Sequence, residues 1–432
     1  MLVTTEDARV ENARTAEATR KPVEGQGSSG EQRTPRDSER VHRIVSGLKA
    51  QSLDALLCAL PAHVLLVSGY WPVIGASLAF ITSDAKVVII APEDEQELAE
   101  SGYADEVITY KPMTLERTEA LADAVRRPVE QAAAKLGISQ KRIGFEFGAA
   151  SEPASYAAMN LFSGTLPTIV RHVIPRAYLQ PADSLLAGLA AVKTPTEVQR
   201  IREACEIAAA AFERASNQLR PGITETQAAA LVRDGFSMLA PDLNRQRADG
   251  FAWCMSGPHS AKAAAAYARS RDRELAEGDL VLLHANSYNA GYWTDITRTY
   301  IVGQLDDKQR KIYDAILEAR DAALEVVRPG VRASRVDLAV RSVLSSHGFG
   351  KQFPHPAGHG VGFVAISANA RPRIHPASRE ELQVGMVFNL EPAVYIEGYG
   401  GVRLCNMVAV GEPGAELLTP FQNRMEELIL AA

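Results

Sequence analysis

Five side chains that can bind a metal ion or move a proton lie in three separate stretches of the sequence. They are His284, Asp295, His359, Glu391 and Cys405. Imidazole, carboxylate and thiolate groups are the ligands that transition metals prefer in proteins, and imidazole and carboxylate groups are also frequent acid–base catalysts. The sequence therefore predicts one site to which distant segments contribute.

The first two of these residues flank a predicted β-hairpin. Residues 281–299 contain two runs rich in Val, Leu, Tyr, Trp, Ile and Thr, separated by the sequence Asn-Ala-Gly. Asn and Gly tolerate the positive φ angles that tight hairpin turns require. With the turn centred between Asn289 and Ala290, His284 and Asp295 are directly opposed. Opposed residues lie on the same face, with Cβ atoms about 5 Å apart, so these two side chains should converge.

A second predicted hairpin, residues 386–410, repeats this arrangement around a glycine-rich turn centred on Gly398. Glu391 and Cys405 are equidistant from that glycine, so a carboxylate and a thiol are expected to face each other. Between the two hairpins lies the sequence His-Pro-Ala-Gly-His-Gly-Val-Gly, which begins at His355 and supplies two more imidazoles.

The composition is that of an ordinary globular protein. The chain has 432 residues, of which 46% are hydrophobic and 23% charged, and its net charge is −6. This balance gives no reason to expect binding to nucleic acid or to a membrane surface. Four scattered cysteines are too few for a disulfide framework. No apolar run reaches the roughly 18–20 residues of a membrane span, and the N-terminus lacks a signal peptide, so we expect a cytoplasmic protein.

The chain divides into three parts. Residues 1–40 are polar and nearly free of aliphatic side chains, so we expect a disordered N-terminal extension. Residues 41–185 alternate helical patterns with apolar runs of strand length, such as 55–60 and 63–67, which indicates an α/β domain. Residues 190–432 alternate long helices with hairpins and carry the candidate site.

Two helices of the last part begin with capping signals. Thr194 and Glu197 have the spacing of a capping box, and Thr224 begins a second such pattern. The sequence Arg-Pro-Gly follows a predicted helix at both Arg220 and Arg328, and each copy precedes a further helix. This repetition indicates two related halves, each built from helices and a hairpin.

These segments resemble the pita-bread metallopeptidases and their relatives, which include aminopeptidase P, prolidase, methionine aminopeptidase and the metal-free enzyme creatinase. The resemblance extends over roughly residues 41–432 and rests on residues 278–284, 291–299, 354–362, 385–392 and 401–403. It implies a creatinase-type N-terminal α/β domain followed by a pita-bread α+β catalytic domain, commonly in a homodimer.

The resemblance also implies a site for two divalent metals, held by two Asp, one His and two Glu. Asp295, His359 and Glu391 match three of these ligands. His284 stands where the first Asp is expected, and Cys405 stands where the second Glu is expected.

The family's peptidases use further histidines near the substrate, and this chain retains only some of them. His355 matches one. Tyr267 and Ile366 stand where two others are expected, and Ile366 can neither donate nor accept a hydrogen bond. Tyr267 could donate to a developing anion, so we take Tyr267, Glu391 and His355 as the candidate catalytic residues.

Loss of two carboxylates argues against two metals, because closely spaced cations need shared carboxylate oxygens. We expect one divalent transition metal, Fe or Zn, bound by the five residues named at the outset. The alternative is a metal-free site of the creatinase kind. In that case His284 would pair with Asp295, and Cys405 would be a small buried hydrophobe.

Three functions remain open. The first is a divergent hydrolase or lyase that cleaves or rearranges a C–N bond in a small amino-acid-like substrate. The second is an Xaa-Pro aminopeptidase or prolidase, whose activity we expect to be absent or feeble because of Tyr267 and Ile366. The third is a non-catalytic binding protein, which the retention of five ligand-type side chains disfavours.

Overall fold

The computed structural model describes most of the chain after an N-terminal stretch. The described residues are 34–73, 77–111, 114–115, 121–146, 166–243, 245, 247–264, 269–367 and 370–430. Most of the expected disordered extension, 1–40, therefore lies outside the described residues. The extension was predicted to end at residue 40, which is too late, because the first helix already begins at Ser38. Asp37 caps this helix by accepting a hydrogen bond from the Arg40 N–H.

The N-terminal domain contains a sheet of six described strands flanked by helices. In sheet order the strands run β4-β3-β2-β1-β5-β6. The strands are β1 Ala55–Cys58, β2 Leu78–Thr82, β3 Val87–Pro92, β4 Glu106–Tyr110, β5 Arg142–Phe145 and β6 Tyr178–Pro181. The helices are α1 Ser38–Ala50, α2 Pro61–Ser68, α3 Gln96–Glu100, α4 Leu121–Ala124, α5 Arg126–Lys135, α6 Leu166–Val173 and α7 Asp183–Ala191.

Strands β1 to β3 are buried throughout because both faces of the sheet are covered. Alternate residues enter two different hydrophobic clusters: Leu56 and Ile81 pack on one face, and Leu57 and Phe80 on the other. A strand covered on both sides needs apolar side chains at every position. This explains the continuous apolar runs in the sequence.

Residues 63–67, predicted as a strand, belong instead to helix α2. Pro61 suits the first turn of a helix, and Gly69 ends it with a φ of +71°. The carboxylate of Glu146 accepts a hydrogen bond at 3.0 Å from the N–H of Leu60 at the helix start. A short apolar run cannot be assigned to strand or helix by periodicity, because a helix buried on all sides is apolar all round.

The C-terminal domain alternates helix pairs with antiparallel strands. Its helices are α8 Pro195–Ser216, α9 Glu225–Leu239, α10 Asp307–Val326 and α11 Ala333–Ser346. Its strands are β7 Ala248–Ser256, β8 Leu280–Asn289, β9 Tyr292–Trp293, β10 Ile296–Val302, β11 Val387–Leu390, β12 Ala393–Ile396, β13 Gly400–Arg403, β14 Asn406–Val410, β15 Ala415–Leu417 and β16 Ile429–Leu430. One sheet has the order β16-β10-β8-β7 with β9 beside β8; β11-β14-β15 form a second, and β12-β13 a third. Short 3-10 segments of both domains cover Glu93–Glu95, Gly257–Ala264, Gly350–Gln352 and Met425–Leu428.

Within the described segments, no helix is both long and apolar enough to cross a membrane.

The predicted repetition of two halves is confirmed in the backbone. After α8 the N–H of Gly222 donates to the carbonyl of Leu275 at 2.9 Å, and after α10 the N–H of Gly330 donates to that of Leu382 at 2.8 Å. Both glycines have a positive φ, +86° and +83°. An isolated antiparallel bridge follows each of them two residues later. The predicted capping boxes at Thr194 and Thr224 are also present.

A buried ion pair joins the two domains. Arg40 of helix α1 is fully buried, and its Nε donates to Oε1 of Glu197 in helix α8 at 2.8 Å. Its remaining nitrogens donate to Glu197 and to the carbonyls of Leu189 and Val192. These hydrogen bonds and the Glu197 carboxylate compensate the cost of burying the guanidinium. Separation of the two domains would remove the counterion and leave each charge unpaired.

Candidate active site

The first hairpin carries its ligand-type residues in a different register from the predicted one. His284 pairs with Thr297, not with Asp295. The turn is centred between Ala290 and Gly291, whose φ angles of +48° and +87° are those of a two-residue hairpin turn with both central residues left-handed. The predicted turn centre is therefore one residue too early. The pairing shifts by two residues, an even number, so Asp295 keeps the predicted face of the sheet.

His284 and Asp295 still meet, as diagonal rather than direct neighbours. The Nδ1 atom of His284 lies 3.7 Å from Oδ1 of Asp295 and 3.0 Å from the hydroxyl of Thr297. Asp295 is almost fully buried, whereas 12% of the His284 side chain is exposed. The histidine is therefore the more solvent-accessible of the two groups, and the carboxylate is shielded from solvent.

The second hairpin has the predicted register. Ala393 pairs with Arg403, and Leu390 pairs with Asn406 in the adjoining ladder. Glu391 and Cys405 occupy the break between these two ladders and are equidistant from the turn. Glycines 398 and 400 both have positive φ, which fixes this turn where the sequence places it.

Cys405 connects the two hairpins. Its thiol donates to the main-chain carbonyl of Asp295 at 3.1 Å and lies 3.5 Å from Oδ1 of the same residue. Its N–H donates to the carbonyl of Thr297 at 3.1 Å. Burial and the carboxylates of Asp295 and Glu391 raise the pKa of the Cys405 thiol well above its usual value. The thiol form is therefore the one favoured beside these carboxylates.

His359 comes from the loop between the hairpins and is held by Asn389. The amide oxygen of Asn389 accepts the His359 N–H at 2.6 Å, and its Nδ2 lies 3.1 Å from the Nε2 atom of the imidazole. Nδ1 of His359 donates to the carbonyl of Gly360 at 3.1 Å. Nε2 is therefore the nitrogen that faces Asp295, with 3.5 Å between Nε2 and Oδ2.

Asp295 thus presents each of its oxygens to a different group of neighbours. Oδ1 faces His284 and Cys405, whereas Oδ2 faces His359. Burial opposes the charge of Asp295, but the two imidazoles and Arg403 hold its pKa below the usual range. Burial also opposes a charge on His359, but the hydrogen bond to Asp295 raises its pKa to about 9. Burial lowers the pKa of His284 to about 4, so this imidazole is neutral at pH 7.

A second set of polar contacts involves Arg403, Glu391 and His355. NH1 of Arg403 lies 3.9 Å from Glu391, and Nε of Arg403 donates to the Thr297 hydroxyl at 3.0 Å. His355 donates through Nδ1 to the Pro356 carbonyl, and its Nε2 lies 3.1 Å from the hydroxyl of Tyr395. Burial lowers the pKa of His355, although the charge of Glu391 opposes this, so His355 is a neutral acceptor for Tyr395.

Sequence reasoning missed two of these residues. Asn389 and Tyr395 lie in strands and look like ordinary strand residues. The signal for Asn389 was an amide within an otherwise apolar and buried strand, since such a group must find a partner. Tyr267 lies outside the described residues, so its role stays a prediction. Ile366 packs against the core of the domain and brings no polar group to the site.

Two family models match the chain. Residues 40–174 match the Creatinase/Prolidase N-terminal domain, and residues 199–412 match Metallopeptidase family M24. A probable dipeptidase, PepE of Mycobacterium tuberculosis, is 33% identical over 303 residues, which are 66% of this chain and 76% of that protein. The chain belongs to metallopeptidase family M24.

Other M24 proteins align over nearly the whole chain. An Xaa-Pro dipeptidase of Pyrococcus furiosus is 28% identical over 387 residues, covering 90% of this chain and 99% of that protein. The prolidase structure from Pyrococcus horikoshii has a TM-score of 0.71 at 26% identity, over 90% of this chain and 99% of its own. The X-Pro aminopeptidase of Thermotoga maritima shares the fold, with a TM-score of 0.73 at 22% identity, over 90% and 100% of the two chains. The predicted creatinase-type and pita-bread domains are confirmed.

Membership of M24 implies a divalent metal cofactor. Among the residues that the structure describes, no three His, Cys, Asp or Glu side chains already have the geometry of a metal site. Asp295 lies 3.5 Å from His359 and 3.7 Å from His284, close to the roughly 3.4 Å between two donors that share one ion at about 2.1 Å. The Gly360 carbonyl also orients His359 as metal-binding imidazoles are commonly oriented. Two donor pairs thus have the spacing that a shared ion requires, while the ligand roles themselves stay predictions.

Proposed function

We propose that this chain is a hydrolase that cleaves a C–N bond in a small amino-acid-like substrate, with one divalent transition metal in place of two. One observation carries the proposal. Both departures from the family's ligand set, His284 and Cys405, lie on the Oδ1 side of Asp295, whereas the matching residue His359 lies on the Oδ2 side. The two altered positions thus lie on one side of Asp295, and the retained imidazole lies on the other.

The side chains that would hold the ion are Asp295, His359 and Glu391, with His284 beside them. Cys405 would be a fifth donor only after losing its proton, which its buried position opposes. Two imidazoles and two carboxylates suit Fe or Zn better than Mg or Ca. When bound, such an ion would polarise the substrate carbonyl and increase the acidity of a water molecule.

The residues of the chain would hold the acid–base groups of the site in fixed positions around the substrate. Asp295 orients His359 through its Oδ2 atom, and Asn389 fixes the loop from the other side. Arg403 braces Glu391 and, through Thr297, the neutral imidazole of His284. These contacts keep the acid–base groups in fixed orientations, which is the main requirement of general acid–base catalysis.

A second candidate function is hydrolysis of Xaa-Pro dipeptides. It is favoured by the dipeptidase names of the aligned relatives and by His355, which matches the family pattern and is fixed by Tyr395. The apolar side chain of Ile366 weighs against it. Loss of a positioned acid–base group typically lowers the rate about 10²–10⁴-fold. We therefore expect low rather than normal peptidase activity.

The two functions can be separated with purified full-length protein. Metal content would be measured without chelator, and turnover would be compared on Xaa-Pro dipeptides and on N-acyl, ureido and guanidino derivatives of small amino acids. We expect about one metal ion per chain and turnover of the second group. Xaa-Pro hydrolysis at about 1–10³ per second would overturn the first proposal in favour of the second. We also propose a homodimer, which light scattering in solution would test.

A further inference from the structure

Two segments that supply side chains to the candidate active site extend into the hydrophobic core of the N-terminal domain. Phe363, four residues after His359, is buried in the same cluster as Trp71 of that domain. Tyr292, three residues before Asp295, packs against this cluster. The first domain therefore contacts both the loop that carries His359 and the hairpin that carries Asp295.

A hydrogen bond joins these two segments directly. The N–H of Trp293 in β9 donates to the carbonyl of Gly362 at 2.6 Å. Trp293 lies two residues before Asp295, and Gly362 lies three residues after His359. Because so few residues separate this bond from either side chain, it constrains the 3.5 Å distance between Oδ2 of Asp295 and Nε2 of His359.

Two aromatic rings beside this hydrogen bond anchor it to the N-terminal domain. Tyr292 precedes the donor residue and Phe363 follows the acceptor residue, and their ring centroids lie 5.5 Å apart. The guanidinium of Arg40 in helix α1 lies over the Phe363 ring, 5.8 Å from its centroid. The bond between the two segments is therefore formed where the second domain packs against the first.

Trp71 contacts the turn of the same hairpin. Its ring approaches Gly291 so closely that a Cβ there would lie 2.5 Å from it, and it packs edge-on against Tyr288 with centroids 5.1 Å apart. Arg247, directly before β7, lies over the Trp71 ring at 4.6 Å and donates through NH1 to the Trp71 carbonyl at 2.7 Å. The indole is thus fixed by two elements of the second domain.

We propose that Trp71 and Phe363 are positioning residues of the candidate active site, and that docking of the N-terminal domain sets the separation of Asp295 and His359. The first domain then does more than pack beside the site, since it holds two of its segments at a fixed distance. This inference goes beyond the proposed function, because it concerns the geometry of the site and applies to any reaction there.

Hydrogen exchange of the metal-free full chain tests the bond between the segments. Phe363→Ala and Trp71→Leu should each accelerate exchange of the Trp293 amide at least about tenfold, or about 1.4 kcal/mol of local opening free energy. Phe80→Ala is the control, because Phe80 is buried on the opposite face of the N-terminal sheet, and it should leave this amide unchanged. If an alanine variant does not fold, Phe363→Leu and Phe80→Leu replace the pair.

Metal binding measures the same geometry at the side chains. With Zn(II) in competition with a chromophoric chelator, Phe363→Ala and Trp71→Leu should bind about 5–150-fold more weakly than the natural protein, the usual range of coupling between separate sites. The visible spectrum of the Co(II)-loaded variants should also change. A ring that only stabilised the fold would lower the unfolding temperature without altering either the affinity or the spectrum.

Unchanged Trp293 exchange in both variants, or equal acceleration in Phe80→Ala, would overturn the inference. Accelerated exchange with natural Zn(II) affinity and an unchanged Co(II) spectrum would also overturn it, because the bond would then have no effect on the site. A natural protein that binds no metal would instead refute the proposal of one metal ion, and the exchange result would decide the inference alone.

Discussion

At the scale of single residues, the site depends on which side chains contact each of the two carboxylate oxygens of Asp295. A carboxylate that contacts imidazoles from two different segments can act either as a shared metal ligand or as the centre of a hydrogen-bonded set. The side chains around Asp295 come from both halves of the domain. Changes on one side of it can therefore alter the chemistry without removing the other side.

Removal of His359 tests the metal assignment. We expect His359→Ala to reduce bound Fe or Zn from about one ion to under about a tenth of an ion per chain, because it deletes a proposed ligand. Cys405→Ser should weaken or change metal preference while retaining binding. His347→Ala, an exposed histidine paired with Glu318, is the control. Elemental analysis of dialysed protein gives the result, and a full ion in His359→Ala would contradict the assignment.

Lys193 provides a test of stability against pH. It is 3% exposed, and burial lowers its pKa to about 7 from 10.5. Below pH 7 both folded and unfolded chains carry this proton; between pH 7 and 10.5 only the unfolded chain does. Burial of Lys193 thus lowers the free energy of unfolding most at pH 7 and below, by up to about 5 kcal/mol at 1.36 kcal/mol per pKa unit.

Lys193→Met should therefore have a larger free energy of unfolding than the natural protein at pH 7. This gap between the two proteins should narrow as the pH approaches 10. Urea unfolding at both pH values measures it. Lys49→Met, on an exposed part of helix α1, should show no such gap. A gap that stays constant with pH would refute the assignment of the effect to the lysine charge.

At the scale of elements, hairpin turns decided how well the site could be predicted. The second register was correct because the glycines with positive φ are the only plausible turn residues there. The first was shifted because Ala290, not Asn289, takes the left-handed conformation, and sequence rules favour asparagine. The capping boxes were predictable because they depend on neighbours in sequence. The contacts of Asn389 and Tyr395 were not, because their partners come from other segments.

The same turn gives a stability prediction. Ala290→Gly should raise the free energy of unfolding by about 0.5–1 kcal/mol, because a left-handed alanine costs roughly 1–2 kcal/mol and the glycine's greater unfolded-state entropy offsets part of that gain. Gly291→Ala should lower it by at least about 2 kcal/mol. Its φ is +87°, and a Cβ would lie 2.5 Å from the Trp71 ring. Urea unfolding would contradict this if both changes had the same sign.

At the scale of the whole molecule, the buried pair of Arg40 and Glu197 holds the two domains together. Arg40→Leu should lower the free energy of unfolding by about 3–5 kcal/mol, because it leaves a buried carboxylate without its counterion. Arg126→Leu removes an exposed ion pair with Asp123 and should cost under about 1 kcal/mol. Calorimetry of both variants checks this. Equal effects would show that the interdomain pair contributes no more than a surface pair.

That pair also imposes an order on biosynthesis. Arg40 and Glu197 are 157 residues apart, so the guanidinium leaves the ribosome long before its partner exists. At about 5–20 residues per second, helix α1 must wait roughly 8–30 seconds for the start of helix α8. Trp71 waits longer still for the hairpin at Gly291 on which it packs. During that interval the nascent first domain exposes a charged and aromatic surface that only the second domain can cover, and this surface is where chaperones would be expected to act.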